Sequence, residues 1–460
     1  MQKNDFVTVV CQRLGSNGEG VANAEGITLF VPNLLVGEKA LVKVLAVKDK
    51  VAYGKVEELY TPAENRVRPA CAVFGKCGGC QLQHLKYRYQ LLFKTELVKN
   101  TLKKIGGIAA DVPPCVKSDK EYGYRNKLIL PIGQKNGNTV VGFYAERTHR
   151  IVETGECPIT TWADKVISAV KNFAEKCGLE GYDEETGKGH LRHIAVRQLG
   201  KKYIVVLVVT QKINGIDYLI SLLDGVFKEY SFFVNYNTER TNVVFGKEYQ
   251  LIKGSPTYTC EEAGITYEAG AETFVQVNEN VRKKLYEGAL ALIEEDDTVI
   301  DCYSGGGLLT AMFAKKCQRA YGIELVKEAG ECAERLKAAN DLGDKMFNIT
   351  GRVEDELPAL LQKEKDAVVV LDPPRAGIDK SVLSALIGSD IKKLIMISCN
   401  PATLARDLGI LTGTLVWDEK GNLVKSAAPC GKYEIVSLQP YDMFPQTKHV
   451  ETLVCLRTKS

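Results

Sequence analysis

The sequence predicts a modular α/β protein: a doubly wound sheet in the C-terminal half, behind an N-terminal β-barrel and an α+β middle region. Three observations carry this. From about residue 257 onward, apolar strands alternate with helical stretches, and several strands end in Gly- or Pro-containing turns. Residues 1–60 instead hold short strands separated by Gly turns. The chain, at 460 residues, is also too long for a single ordinary domain.

Apolar residues make up 45% and charged residues 25% of the chain, which excludes general disorder, a collagen-like fibre and a membrane protein. Apolar runs such as YIVVLVVT (203–210) are strand-sized, far short of a bilayer span. The start, MQKNDFVTVV, lacks the basic and apolar regions of a signal peptide, so a cytoplasmic location is expected. A net charge of +3 means that any basic surface is local. In a reducing cytosol the 14 cysteines are not disulfides, so a tight cluster of them suggests a metal. Nothing demands more than a monomer.

Residues 1–60 offer the strands VTVVCQRL (7–14), two in ITLFVPNLLVGEKALVKVLAVK (27–48) and VAYGKVEELY (51–60), a set that suits a small barrel of the oligonucleotide-binding sort, or a barrel with no RNA at all. A polar linker (61–71) leads to a cysteine cluster at 71–86. A basic helical stretch follows, ended by Gly106 and Gly107; residues 87–110 are expected to pack on the catalytic region. A solvated face explains its lysines as well as RNA does. Residues 111–255 form the middle region, with strands at 127–133, 140–146, 191–199, 202–210 and 231–237 and a helix at 162–177. YGYRNK (122–127) and LRH (191–193) are possible RNA contacts. The doubly wound domain spans 257–460. It begins with a strand end at FVQVN (274–278) and a helix capped by Asn278.

Its first strand, TVIDC, leads into Ser304-Gly305-Gly306-Gly307, which opens a helix. Glycines let the backbone approach a ligand, and the helix start offers free N–H groups. Glu324 ends the next strand, 23 residues after Asp301, where an acid can bind ribose hydroxyls. The turn is not G-x-G-x-x-G, and no P-loop is present. The combination points to S-adenosylmethionine (SAM) on a Rossmann-like sheet.

Two later strands end in Asp372-Pro373-Pro374-Arg375 and Ser398-Cys399-Asn400-Pro401. Strand ends of such a sheet line its ligand crevice, where a cysteine can act as a nucleophile. A methyl acceptor with a lone pair needs no such thiol. Carbon 5 of a pyrimidine does: thiolate addition at C6 makes C5 enolate-like, and a base must later remove its proton. Glu451, opening the last strand in TKHVETLV, is a candidate for that base.

Taken together, FVQVN, DCYSGGG, IEL, LDPPRAG, SCNPATLARD and MFPQTKHVE resemble the 5-methyluridine RNA methyltransferase family over essentially the whole chain. The resemblance implies a nucleophilic Cys399 and a proton-abstracting Glu451. It implies SAM binding by Gln276, Tyr303, Glu324 and Asp372, with Asp372 also contacting the uracil.

Cys71, Cys77 and Cys80 form C-x5-C-x2-C, and Cys157 in GECPI is the best fourth ligand. Spacing alone leaves zinc and an iron–sulfur cluster both open. The set resembles the [4Fe–4S] site of the family's ribosomal-RNA subgroup, and the N-terminal barrel resembles the RNA-binding TRAM domain. These resemblances imply 23S rRNA as the substrate, with the target base flipped from its stack. The alternatives are the same chemistry on tRNA and an RNA-binding or assembly protein with an inactive methyltransferase domain. A metal-dependent redox enzyme is a weaker third.

Overall fold

The computed structural model describes residues 1–273 and 275–459, and its backbone contacts divide the chain into two units. Among the described residues no helix is long and apolar enough to cross a membrane.

The first unit comprises Met1–Gln90, Lys120–Pro256 and Phe444–Lys448. Six strands between Phe6 and Thr61 form its N-terminal sheet. Alternation along them buries Val9, Leu29, Val31, Val42, Val44 and Ala52 in a small core of their own. A seven-stranded sheet follows in the order Glu248–Lys253, Tyr230–Tyr236, Lys202–Val209, Leu191–Leu199, Lys127–Lys135, Asn138–Tyr144 and Ile151–Glu153. The helix Ala163–Cys177 buries Val166, Ile167, Val170 and Phe173 at helical spacing against this sheet's core. A second helix, Ile216–Asp224, adds Leu219 and Leu223. This helix and the edge strand Glu248–Lys253 had no counterpart in the sequence reading.

The second unit comprises Leu91–Asp119, Thr257–Met443 and the chain from His449 onward. Its sheet, numbered within this unit, contains β1 (Thr298–Cys302), β2 (Arg319–Glu324), β3 (Met346–Thr350), β4 (Val368–Leu371), β5 (Lys393–Ser398), β6 (Tyr433–Tyr441) and β7 (Glu451–Thr458). The order is β3-β2-β1-β4-β5-β7-β6. β1 to β5 run parallel; β7 is antiparallel to β5, and β6 to β7. The parallel strands are nearly continuous apolar runs because both faces are covered, burying Ile300, Ile323, Val369, Leu394 and Met396. The antiparallel β7 starts where its neighbours end, so Glu451 lies at the carboxyl edge of the sheet.

Three sequence expectations need correction. The middle region expected from 111 begins at Lys120, because Val116 joins the second unit: its N–H donates to Pro440 O (2.8 Å) and its carbonyl accepts from Asp442 N (2.9 Å). The catalytic region expected as a continuous 257–460 is interrupted at Phe444–Lys448. There Gln446 O accepts from Gln81 N (3.1 Å) and Leu82 N (2.9 Å), and Tyr124 donates to Pro445 O (3.0 Å). Finally, Val275–Val277 form no strand, and Phe274, where that strand end was expected to start, lies outside the described residues. The Asn278 cap is present, its side chain accepting from Val281 N at 3.4 Å.

The basic helix runs as Tyr87–Thr101, then widens into a π-helical turn, Leu102–Gly106. A Cβ on Gly106 would lie 2.5 Å from Ala405 O, so only glycine allows this approach. Within the second unit, Lys94 and Asp442 form an ion pair with both side chains fully buried.

Candidate active site

After β1 the backbone turns sharply: Tyr303 has φ 63°, an uncommon left-handed conformation for a tyrosine, and Gly305 and Gly307 follow at 55° and 79°. A Cβ on Gly305 or Gly306 would meet nothing within 4 Å, so this turn borders open space before the helix Leu308–Lys316. Glu324, at the end of β2, braces the turn. Its Oε2 accepts from Gly305 N (2.9 Å) and its Oε1 from Val326 N (2.8 Å). Each oxygen keeps a second lone pair for a ligand hydroxyl. Asp301 is buried, accepts a hydrogen bond from Thr310 Oγ1 at 2.5 Å, and burial raises its pKa to about 7. The open glycine turn, the acid and the helix start fit an adenosine-bearing cofactor. Gln276 is half-buried on the segment preceding the Asn278 cap.

Asp372 follows β4, and its N–H reaches back to Cys302 O at 3.4 Å. Burial raises its carboxyl to about 7. Cys399 follows β5 and precedes a helix capped by Asn400, whose Oδ1 accepts from Ala402 N (3.1 Å). Glu451 is 3% exposed, and its neighbour Thr452 pairs with Ser398 across β5 and β7.

Asp372 acts on both of the other groups, and Glu451 acts on Cys399. Burial first, then the negative charge of Asp372, raises Glu451 to about 8, while Arg375 pulls it down. Cys399 is raised by burial and by Glu451; Arg375 opposes this by charge and by a side-chain hydrogen bond, and Asp372 raises it further. The structure thus brings Asp372, Cys399 and Glu451 together at one sheet edge, with Arg375 as the cation that favours both the thiolate and the carboxylate.

Sequence reasoning missed Arg375 in this role, and it missed the brace behind it. Arg375 O accepts from Asn400 Nδ2 (3.0 Å). Asp407 accepts from Ile378 N (3.0 Å) and from Arg406 Nε (2.7 Å), and Arg406 also donates to Ala376 O (3.2 Å). The Arg406-Asp407 pair at the end of SCNPATLARD was the available signal.

In the first unit Cys71, Cys77, Cys80 and Cys157 are all partly buried, and each is within electrostatic reach of at least one other. Burial pushes Cys80 up to about 11 and Cys157 up to about 12, and the neighbouring thiols add to both shifts. A Cβ on Gly78 would lie 2.9 Å from Glu146 Cα, so the loop needs glycine there. Three soft sulfurs on a glycine-wrapped loop, with Cys157 of a separate segment in electrostatic reach of all three, fit a metal centre. Among the described residues the grouping of three or more ligand atoms mutually within 4.8 Å is Glu294, Asp296 and Asp297.

Comparison with known proteins decides the family. Residues 199–459 match the family described as tRNA (Uracil-5-)-methyltransferase, and residues 3–56 match the TRAM domain. The chain belongs to the tRNA (uracil-5-)-methyltransferase family. An uncharacterised RNA methyltransferase of Clostridium tetani is 37% identical over 467 residues, covering 99% of this chain and 97% of the relative. One from Halalkalibacterium halodurans is 35% identical, covering 100% and 98%. Among solved structures, the Pyrococcus abyssi tRNA (uracil-54, C5)-methyltransferase in complex with S-adenosyl-L-homocysteine superposes with a TM-score of 0.75 at 25% identity, covering 98% of this chain and 99% of that one. The chain is therefore a SAM-dependent RNA (uracil-5-)-methyltransferase with an N-terminal TRAM domain.

Proposed function

We propose that this enzyme methylates uridine C5 in 23S rRNA through a covalent Cys399 adduct. The observation that carries the mechanism is the gathering of Cys399, Glu451 and Asp372 at one sheet edge, where Glu451 and Asp372 raise Cys399, Asp372 raises Glu451, and Arg375 opposes both shifts. Cys399, as thiolate, bonds to uracil C6, and the C5=C6 electron pair moves toward the C4 carbonyl oxygen. Bound SAM supplies the methyl carbon that C5 attacks, leaving as S-adenosylhomocysteine. Glu451 then takes the proton from C5, the double bond re-forms, and the Cys399–C6 bond breaks to return the thiolate. Arg375 favours the ionised forms of both residues. Asp372 helps hold the cofactor and also contacts the uracil. Gln276, Tyr303 and Glu324 hold the cofactor, with Glu324 on the ribose hydroxyls.

The substrate reading is supported by the TRAM domain combined with the four-cysteine loop. Cys71, Cys77, Cys80 and Cys157 would hold a [4Fe–4S] cluster. The cluster shapes the loop and takes no part in methyl transfer. Arg125 and Lys127, both half-buried, are candidate RNA contacts; burial, then the charges of the buried Arg197 and of Arg125, lower the Lys127 pKa to about 8.

A tRNA substrate is the second reading, favoured by the family description and by the Pyrococcus enzyme that acts on tRNA. Transfer of labelled methyl from SAM to unmodified 23S rRNA and tRNA in parallel separates the two. Label on C5 of rRNA uridine is expected, and none with Cys399→Ala. Label on tRNA alone would reassign the substrate, and full activity of Cys399→Ala would overturn the mechanism.

A further inference from the structure

The TRAM domain carries two aromatic side chains that its core does not use. On the strands Ile27–Val31 and Val51–Thr61, alternation buries Leu29, Val31 and Ala52, which turns Phe30 and Tyr53 outward. The two strands run parallel with Phe30 directly opposite Tyr53. Their rings are stacked at 5.8 Å between centroids and 24° between planes, and Tyr53 is 49% exposed. An exposed aromatic pair leaves apolar surface in water, which a stacking ligand would cover.

These rings form one wall of a cavity of about 210 Å3. That is below the roughly 300–1,000 Å3 of sites for drug-sized molecules, and it suits one flat ring. The other walls place Asn33, Lys76 and Arg147 around the rings, with the carboxylates Glu19 and Glu146 beside them and Glu146 3.9 Å from Arg147. Asn33 offers an amide for a base edge, and the cations Lys76 and Arg147, both exposed, suit flanking phosphates. The walls are built to shape. Asn33 and Arg147 hold left-handed backbones at φ 63° and 58°. A Cβ on Gly75 (φ +78°) would come within 2.8 Å of Asn33 Nδ2. Cys77 and Cys80 also line the cavity, so it adjoins the proposed metal centre.

We propose that this cavity is a nucleobase subsite, in which one unpaired base of the RNA substrate stacks on Tyr53 and Phe30 while Lys76 and Arg147 hold its flanking phosphates. This rests on the RNA methyltransferase reading and adds to it a second base-binding position, remote in function from methyl transfer. It also gives the cysteine loop a task, since Gly75 and Lys76 ride on that loop.

The test uses the full-length, cluster-loaded protein and a fluorescein-labelled, unstructured 16-nucleotide RNA of mixed sequence. A companion set carries one abasic site at each position in turn. Base stacking on an aromatic ring is worth about 1–3 kcal/mol, so Tyr53→Ala is expected to weaken binding about 5- to 150-fold, and Tyr53→Phe to leave it near wild type. One abasic position should weaken wild-type binding by a similar factor and add nothing in Tyr53→Ala. Tyr53 is exposed, so folding is retained, which a thermal melt checks. Binding by wild type with less than a twofold loss in Tyr53→Ala would overturn the subsite while leaving the methylation reading intact. So would full additivity of Tyr53→Ala with every abasic position. Failure of wild type to bind this RNA would overturn the subsite, and methyl transfer would then report separately on the enzyme reading.

Discussion

Glu451→Gln separates the two covalent steps. The substitution preserves shape at a site only 3% exposed and removes the one function the amide cannot perform, accepting the C5 proton. A positioned general base contributes about 10²–10⁴-fold, so turnover should fall by that factor. Cys399 stays intact, so adduct formation and methyl transfer still proceed, and a denaturant-stable protein–RNA adduct should accumulate. With the Glu451 carboxyl held at about 8, about one molecule in ten carries the ionised base at pH 7 and about half do at pH 8. Single-turnover decay of the wild-type adduct, followed on denaturing gels, should therefore quicken about fivefold between those values. The same shift has a sign in stability. Glu451 titrates higher folded than unfolded, so the folded state binds the extra proton between about pH 4.5 and 8, and the native state loses stability as pH rises through that window. The Gln variant lacks this loss and should melt higher than wild type at pH 8 but not at pH 4.5. Adduct decay in Glu451→Gln within tenfold of wild type, or a wild-type decay rate flat from pH 7 to 8, would refute the assignment.

Glu324→Ala removes the carboxylate that braces Gly305 and Val326 and would hold the ribose. At about 1.5–3 kcal/mol for a hydrogen bond to a charged group, SAM affinity by calorimetry should fall about 10- to 150-fold. Cys157→Ser should strip iron and visible absorbance from anaerobically purified protein while leaving SAM binding in place; zinc in wild-type metal analysis, with no absorbance, would replace the cluster. Lys94→Met leaves the fully buried Asp442 without its cation, and urea unfolding should show a loss of about 3–5 kcal/mol. The double variant Lys94→Met/Asp442→Leu should lose less than the two single variants summed.

Much of the fold was legible because periodicity reports burial directly. The helix Ala163–Cys177 and the strands of the second unit bury what their patterns predict. Ile216–Asp224 was missed because its run of Ile, Leu and Tyr over nine residues reads as strand as readily as helix; Gly215, left-handed at φ 82°, starts the helix. Glu248–Lys253 was missed because an edge strand with mostly exposed side chains carries no alternation. The transfer of Phe444–Lys448 to the first unit had no composition signal. It depends on backbone groups of Gln446 meeting partners more than 350 residues away, and a carbonyl looks the same in every sequence.

The site was legible to the extent that its chemistry is written in residue types. A cysteine and two carboxylates at strand ends can be read from motifs, because strand order places those ends along one edge. Their ionisation cannot be read this way. Asp301, Asp372 and Glu451 are ordinary acids in the sequence, yet burial takes all three to about 7 or 8. In the proposed mechanism that shift serves Glu451. A base that must wait until the methyl group is in place is better kept protonated beside a thiol that must ionise first, because two neighbouring anions repel. Arg375 resolves the conflict by lowering both groups, and its own loop is held by Asn400, next in sequence to the nucleophile. The turn that carries Cys399 therefore also positions the cation that, in the proposed mechanism, favours its thiolate, a coupling that exists only after β4 and β5 lie side by side.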